Sequence, residues 1–267
     1  MAVTLLFPCS TAAQQSDSGT QNANQSLDHR DLNNMFSLGY SYDYYVEDIE
    51  PWRRLYGEYY RFTGLGPIIG RLNMNRRFDI TDFQAEIDAY PELSEKMYAY
   101  LNIGVSGGDL FPGFRAGAEV FRTLPEGFEG SLGARYLSFG SDDILIFTGS
   151  LSKYWRDWLF TARPYFTPLD SEISTSFTFR ARRFFDLPDN YVSLDGGFGF
   201  SPDERRIIEG EPEQRLLKSR FLSLRGNYLV HRQVQLFGEV KATDQELPFR
   251  DELFRIYTFE TGARYRF

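Results

Sequence analysis

The sequence predicts an all-β fold, a closed antiparallel up-and-down transmembrane β-barrel of about 14 strands. Segments of about ten residues alternate apolar with polar or small side chains, and clusters of Gly, Pro, Asp, Asn or Ser separate these segments. Aromatic residues make up 17% of the chain, with 25 Phe and 17 Tyr. The longest continuous apolar run covers residues 97–101, whereas a transmembrane helix needs about 20 such residues.

The N-terminal region is predicted to lie outside the barrel. Residues 1–13 include the apolar patch Leu5–Phe7 and the small-residue stretch Thr11–Ala13, which we interpret as the remnant of an export signal. Residues 14–34 are rich in Gln, Ser, Asn and Asp and are predicted to form a disordered linker. The barrel is then predicted to cover residues 35–267.

Alternation and turn signals divide the barrel region into fourteen segments. The predicted strands are 35–46, 53–63, 68–78, 82–90, 96–106, 113–123, 128–139, 143–154, 157–167, 173–184, 190–200, 217–229, 233–243 and 253–267. An even number of strands places both chain ends on the periplasmic side, and the two longest connections, 201–216 and 244–252, then fall on the outer side. Twelve strands remain the alternative if the first pair is misassigned.

Pro164 lies inside the ninth predicted strand. Proline cannot donate a ladder hydrogen bond, and a closed barrel has no edge where this loss would be harmless. The sequence therefore predicts a bulge at Pro164, or a strand that ends before it.

Successive side chains of a strand point to opposite faces, so one face of each segment is predicted to meet lipid and the other the lumen. The predicted lumen collects charged residues of both signs: Arg71, Glu86, Asp88, Arg115, Glu119, Arg135, Arg163, Arg180, Arg182, Arg225, Glu239, Lys241, Glu260 and Arg264. Two hypotheses follow from this set. The charges either pair into a plug that rigidifies the barrel, or line a pore or groove in which arginines bind an anionic saccharide or polymer.

The C-terminal segment carries aromatic residues at alternate positions and ends on one, namely Tyr257, Phe259, Tyr265 and Phe267. This pattern is typical of the strand that the barrel assembly machinery of Gram-negative bacteria recognises, and a terminal amphipathic strand can pair with that machinery edge to edge. It predicts an integral outer-membrane location, with outer-membrane lipid and lipopolysaccharide as partners.

Composition argues against several other functions. The net charge of −8, from 37 acidic and 29 basic residues, argues against a nucleic-acid partner. His29 and His231 are the only histidines and Cys9 the only cysteine, so no catalytic residue, metal site or cofactor is predicted. Two alternatives remain open: a barrel-embedded enzyme that acts on outer-membrane lipid or glycan through carboxylates, and a soluble β-sandwich or lectin.

The segment from Phe83 to Phe139 resembles the YaiO-type outer-membrane β-barrel family. The resemblance is carried by Glu86, Ala89-Tyr90-Pro91, Leu93, Leu110-Phe111-Pro112, Arg115-Ala116-Gly117, Leu124, Gly127, Leu132-Gly133 and Arg135-Tyr136-Leu137-Ser138-Phe139, and Arg163-Pro164-Tyr165 extends it. It implies an outer-membrane barrel, sometimes encoded near glycosyltransferases, and it supplies no catalytic residues. The sequence and the resemblance together predict a non-enzymatic, porin-like barrel with a charged lumen. Such a barrel would serve as a narrow channel or as a component associated with the envelope or a surface polysaccharide.

Overall fold

The alternating segments form the strands of a single antiparallel sheet. The computed structural model describes residues 32–46, 49–77, 79–108, 110–140, 142–168, 173–200, 218–247 and 250–267. Its strands are β1 (Asn34–Tyr45), β2 (Trp52–Thr63), β3 (Gly66–Arg77), β4 (Ile80–Ala89), β5 (Glu92–Ser94), β6 (Met97–Ser106), β7 (Phe114–Leu124), β8 (Phe128–Phe139), β9 (Asp142–Trp155), β10 (Trp158–Pro168), β11 (Ile173–Phe184), β12 (Tyr191–Phe200), β13 (Lys218–His231), β14 (Val234–Leu247) and β15 (Arg250–Arg266). A single 3-10 turn at Pro125–Gly127 is the one helical element among the described residues, and none of them forms a helix long and apolar enough to cross a membrane.

The sheet closes on itself. β1 pairs with both β2 and β15, and β4 pairs with both β3 and β6. Every long strand of the described chain therefore has a partner on each side, and the sheet forms a closed ring. The three-residue β5 pairs only with the start of β6 and is not one of the long strands. In the described chain the prediction of a closed 14-strand antiparallel barrel is confirmed.

Burial alternates along the strands, as the two-residue period of a strand requires. Large apolar side chains such as Leu72 and Leu132 are exposed on the outside, while their sequence neighbours turn inward. The buried residues include many polar ones, among them Ser37, Arg71 and Glu119. The barrel therefore has an apolar outer surface and a largely polar interior, the reverse of a soluble sandwich.

Both ends of the described barrel chain meet at one rim, where the backbone N–H of Asn34 donates to the carbonyl of Phe267 at 3.0 Å. We call this the periplasmic rim, because single-chain bacterial barrels place their ends there. The opposite end is the outer rim. The predicted loop 201–216 and the N-terminal segment 1–31 lie outside the described residues.

The prediction of a long loop at 244–252 is wrong. β14 continues to Leu247 and β15 begins at Arg250, so Asp244 pairs with Arg255 in the ladder. The Arg255 Nε donates to the Asp244 carboxylate at 2.7 Å, and Arg220 of β13 reaches the same carboxylate at 3.1 Å. These cross-strand ion pairs stabilise the hairpin although its sequence no longer alternates cleanly.

The expected irregularity at Pro164 is also wrong. Ala162 pairs with Leu151 and Tyr165 with Thr148, so β10 passes Pro164 in an unchanged register with β9. Only two pairs of that ladder are missing, and the ladder with β11 is intact. The Thr148 hydroxyl donates to the Pro164 carbonyl at 3.0 Å, so a side chain replaces part of the lost backbone bonding.

Candidate functional site: the charged lumen

The fourteen charged residues predicted to face the lumen all lie on long strands, and each side chain is buried or half-buried. They occupy two walls. The wall formed by β3 to β8 carries Arg71, Glu86, Asp88, Arg115, Glu119 and Arg135, and the wall formed by β10 to β15 carries Arg163, Arg180, Arg182, Arg225, Glu239, Lys241, Glu260 and Arg264. Glu58 on β2 is a further buried acid beside the first wall. Because strand order follows chain order around the barrel, these two walls face each other.

Arg71 lies at the centre of the first wall. Its guanidinium contacts the carboxylates of Glu58 at 2.7 Å, Asp88 at 3.0 Å and Glu86 at 3.7 Å. Tyr60 also donates to Glu58, at 2.6 Å. We call Arg71 and its three carboxylates the Arg71 cluster. All four side chains are buried, so this cluster is inaccessible to a solute and has a structural role.

Four of the predicted lumen arginines pair with carboxylates but remain more exposed than their partners. In these pairs the arginine side chains are 18–24% exposed and the carboxylate side chains only 4–10%. The pairs are Arg115–Glu86, Arg163–Glu119, Arg180–Asp195 and Arg225–Glu239. The acids therefore lie against the wall, and the lumen space that remains is bordered by guanidinium groups. We call these four the lumen arginines.

The remaining charges contact aromatic or neutral groups. Arg182 is fully buried, with its guanidinium 4.1 Å from the Tyr191 ring centroid. Arg135 lies over Tyr165 at 5.7 Å, and Lys241 over Phe221 at 5.8 Å. Arg264 lies over Phe237 at 4.4 Å. Glu260 accepts a hydrogen bond from the Tyr56 hydroxyl at 2.9 Å. Cation–π contacts compensate part of the cost of burying these arginines.

Apolar clusters narrow the lumen near both rims. At the periplasmic rim, Met35, Tyr60, Ile69 and Tyr90 pack together, and burial raises the pKa of the Tyr90 phenol well above its ordinary value. At the outer rim, Tyr45, Trp52, Phe254 and Ile256 form a second cluster. The inward aromatic residues thus narrow the interior of the barrel near both rims.

Several inward charges were not predicted from the sequence, among them Arg77 and Asp195. Arg77 is buried between the rings of Tyr45 and Trp52, at 5.0 and 5.1 Å, and Asp195 is the partner of Arg180. The alternation that assigned Arg71 and Arg182 to the lumen would also have found both.

Another charge that was not predicted, Asp82, anchors the loop between β6 and β7. Its carboxylate accepts the backbone N–H groups of Leu110 and Phe111, each at 3.0 Å. No pattern in the sequence indicates that contact, because it joins positions 28 and 29 residues apart.

The C-terminal aromatic residues lie on the lipid-facing side of β15. Phe259, Tyr265 and Phe267 are exposed and Tyr257 is half-buried, and the rings of Tyr265 and Phe267 stack at 6.0 Å. In the folded barrel this strand pairs with β1 and β14. Its recognition by the assembly machinery stays a prediction.

Within the part of the chain that the structure describes, no group of three or more His, Cys, Asp or Glu side chains is arranged to hold a metal ion. His231 ends β13 at the periplasmic rim, where its Nδ1 accepts the backbone N–H of Gln233 at 3.3 Å. The His231 side chain is exposed at this rim. In the sequence, His231 is far from the lumen carboxylates that lie on β2 to β7.

A closed barrel with an apolar outside and a charged interior defines the class of the protein, an integral outer-membrane β-barrel with a porin-like architecture. The profile of the YaiO membrane beta barrel domain matches residues 33–204, and the chain belongs to this family. The family resemblance seen in the sequence is thereby confirmed.

Solved structures support the same class. The barrel is similar to the outer membrane protein Omp33 of Acinetobacter baumannii, with a TM-score of 0.53 and 12% identity over 88% of this chain and 99% of that one. It is also similar to a bacterial polysaccharide outer membrane secretin, with a TM-score of 0.54 and 8% identity over 88% of this chain and 98% of that one. No curated protein sequence matches the chain significantly. At these identities the likeness concerns the fold.

Proposed function

We propose that this protein is a non-enzymatic outer-membrane channel whose narrow lumen binds and passes an anionic saccharide. The proposal depends on one observation, the lumen arginines. In all four pairs the guanidinium is more exposed than the carboxylate. A solute in the lumen therefore meets positive groups first, although the chain as a whole carries a net charge of −8.

The chemistry of guanidinium suits such a solute. Arginine presents planar N–H donors that match carboxylate and phosphate oxygens in two-pronged hydrogen bonds. Each lumen arginine is also held in place by its carboxylate, as Arg163 is by Glu119 at 2.7 Å, so binding would cost little side-chain ordering. That a polysaccharide secretin has a similar fold is compatible with this ligand class.

The main alternative is a barrel plugged by its own ion pairs. The Arg71 cluster favours that hypothesis, because its buried charges leave no room for a solute. The exposure of the lumen arginines on both walls favours a passage beside this cluster.

A barrel-embedded enzyme is less well supported by the geometry. The carboxylates of Glu86 and Glu119 are bound by arginines and by Asn102 or Ser131, so both already serve structural contacts and neither is placed as a free general acid. We expect expression of the protein to leave the mass of lipopolysaccharide unchanged.

The test is conductance of the folded protein in planar lipid bilayers. We expect small discrete steps and, in a KCl gradient, a reversal potential that shows preference for chloride. Arg163→Gln and Arg225→Gln should each reduce this preference, because each removes a lumen cation. Arg220→Gln is the matched control, because Arg220 is an exposed arginine on the outer face of β13 and its loss should leave selectivity unchanged. A preference for potassium, or a silent bilayer with protein that still shows the heat-dependent gel mobility of a folded barrel, would contradict the proposal.

A further inference from the structure

We propose that the outer surface of β2 and β3 binds a phosphate group of a glycolipid in the outer leaflet of the membrane. Two arginines carry this site, Arg53 on β2 and Arg76 on β3. Arg53 is the second residue of β2 and Arg76 the last but one of β3, so both lie at the outer rim. Both side chains are exposed on the face that points away from the lumen. We call them the outer arginine pair.

The two arginines are direct neighbours across the strands, because Arg53 pairs with Arg76 in the antiparallel ladder. Side chains at such positions have Cβ atoms about 5 Å apart, and like charges placed there repel each other. Among the described residues Arg53 forms no ion pair, and Arg76 contacts at 3.8 Å the carboxylate of Asp79, whose side chain is 95% exposed. An anion bound between the two guanidinium groups would offset this repulsion.

An apolar surface lies directly beneath the outer arginine pair. Two residues further toward the periplasm on each strand, the ladder aligns four outward-facing apolar or aromatic residues, namely Tyr40, Leu55, Met74 and Phe83. The next outward row consists of Leu38, Gly57, Leu72 and Ala85. This change from charged to apolar side chains marks the outer edge of the lipid-facing band. The outer arginine pair therefore lies at the depth of the lipid headgroups.

A second pair of outward arginines at the same rim has its anion built into the protein. Arg220 and Arg255 both contact the carboxylate of Asp244, at 3.1 and 2.7 Å. Asp244 lies between them, because β14 lies between β13 and β15. Arg53 and Arg76 lie on adjacent strands, so no strand lies between them to supply such a carboxylate. A ligand from outside the protein can take that role.

A phosphorylated and acylated glycolipid has both parts that this surface requires. Its phosphate accepts two-pronged hydrogen bonds from guanidinium groups, and its acyl chains cover the apolar rows below. A soluble anion would leave those rows without a partner. Lipopolysaccharide, which the sequence predicts as a partner, is the outer-leaflet lipid with this chemistry. Lipid binding at this surface does not require an open lumen, so a silent bilayer would reject the channel and leave the lipid site in place.

The experiment is native mass spectrometry of the folded, full-length protein in an uncharged detergent. The probes are bisphosphorylated lipid A, its dephosphorylated derivative, and a soluble glucosamine disaccharide bisphosphate without acyl chains. We expect bisphosphorylated lipid A to bind more tightly than both other probes. Arg53→Gln and Arg76→Gln should each weaken its binding about tenfold or more, the loss typical of one charge-assisted hydrogen bond.

Arg61→Gln is the matched control. Arg61 is exposed on the same outward face of β2 but near its periplasmic end, where its Nη1 donates to the side-chain oxygen of Asn34 at 2.8 Å. Its loss should leave the binding of lipid A unchanged. The heat-dependent gel mobility of each variant shows that the barrel is folded, and the comparison of probes on the unaltered protein tests the site without any substitution.

Each unfavourable result identifies the part of the inference that is wrong. Equal binding of dephosphorylated lipid A would overturn the site, because the phosphate would then contribute nothing. Equal binding of the soluble disaccharide would overturn its assignment to a lipid, because the acyl chains would play no part. Equal weakening by Arg61→Gln and by the two pair variants would also overturn the site, because the effect would then be a general attraction between the arginines of the barrel and the anionic lipid.

Discussion

Replacing Arg71 by Met removes the cation that three buried carboxylates share. The three contacts of Arg71 lie between 2.7 and 3.7 Å, and at an effective dielectric constant of about 20 each is worth about 5 kcal/mol of gross attraction. Desolvation of the four buried ions offsets most of this. Removing one partner is costly nevertheless, because Glu58, Glu86 and Asp88 would remain buried without their common counter-ion.

We expect Arg71→Met to lower the free energy of unfolding by about 3–5 kcal/mol, which is roughly two to four orders of magnitude in the folding equilibrium. Urea titration of the barrel in lipid vesicles, followed by its heat-dependent gel mobility, measures this loss. Adding Glu58→Gln to the variant should recover part of the stability, because it removes one of the uncompensated charges.

Arg76→Met provides the matched control on the same strand. Arg76 is 52% exposed and its partner Asp79 is 95% exposed at 3.8 Å, so this pair should contribute less than about 1 kcal/mol. If Arg71→Met proves no more harmful than Arg76→Met, the Arg71 cluster does not stabilise the barrel and our reasoning about its charges is wrong.

Two further variants test the periplasmic turn and the C-terminal strand. Gly66 has φ +117°, and a Cβ added there would lie 1.9 Å from the carbonyl oxygen of Tyr90. Gly66→Ala should therefore reduce the yield of heat-resistant folded barrel. Gly64→Ala is the control and should fold normally, because a Cβ at Gly64 would have nothing within 4 Å. Phe267→Gln should slow assembly in cells, measured as the folded fraction after a pulse of synthesis, if the terminal aromatic residue is part of the recognition signal. Phe36→Gln, at the same 48% exposure on the neighbouring strand, should not, and equal slowing by both would assign the effect to lost contact with lipid.

Most of the fold could be predicted, because neighbouring residues decide whether a segment forms a strand and which of its side chains face the lumen. Alternation placed Arg71, Glu119 and Arg225 on inward positions of their strands, and the structure buries them there. Positions where hydrogen bonding or charge overrides the local pattern could not be predicted. Pro164 passes through β10 without a bulge, and Asp244 lies in a ladder that extends beyond the predicted strand end.

The pairing of the charges was not accessible to sequence reasoning. Alternation indicates that Arg163 faces inward, but its contact with Glu119 joins β10 to β7 across two intervening strands. Such a contact depends on strand register and on the curvature of the closed sheet, which no local pattern encodes.

The amino-acid sequence by itself determined that the chain forms amphipathic strands, which side chains face lipid, and that the interior is charged, because a period of two residues fixes all three within each strand. Only the tertiary structure decided which acid neutralises which base and that the acids lie deeper than the lumen arginines. These properties arise when fourteen strands close into one ring, since only closure brings residues from distant strands within a few ångströms of one another.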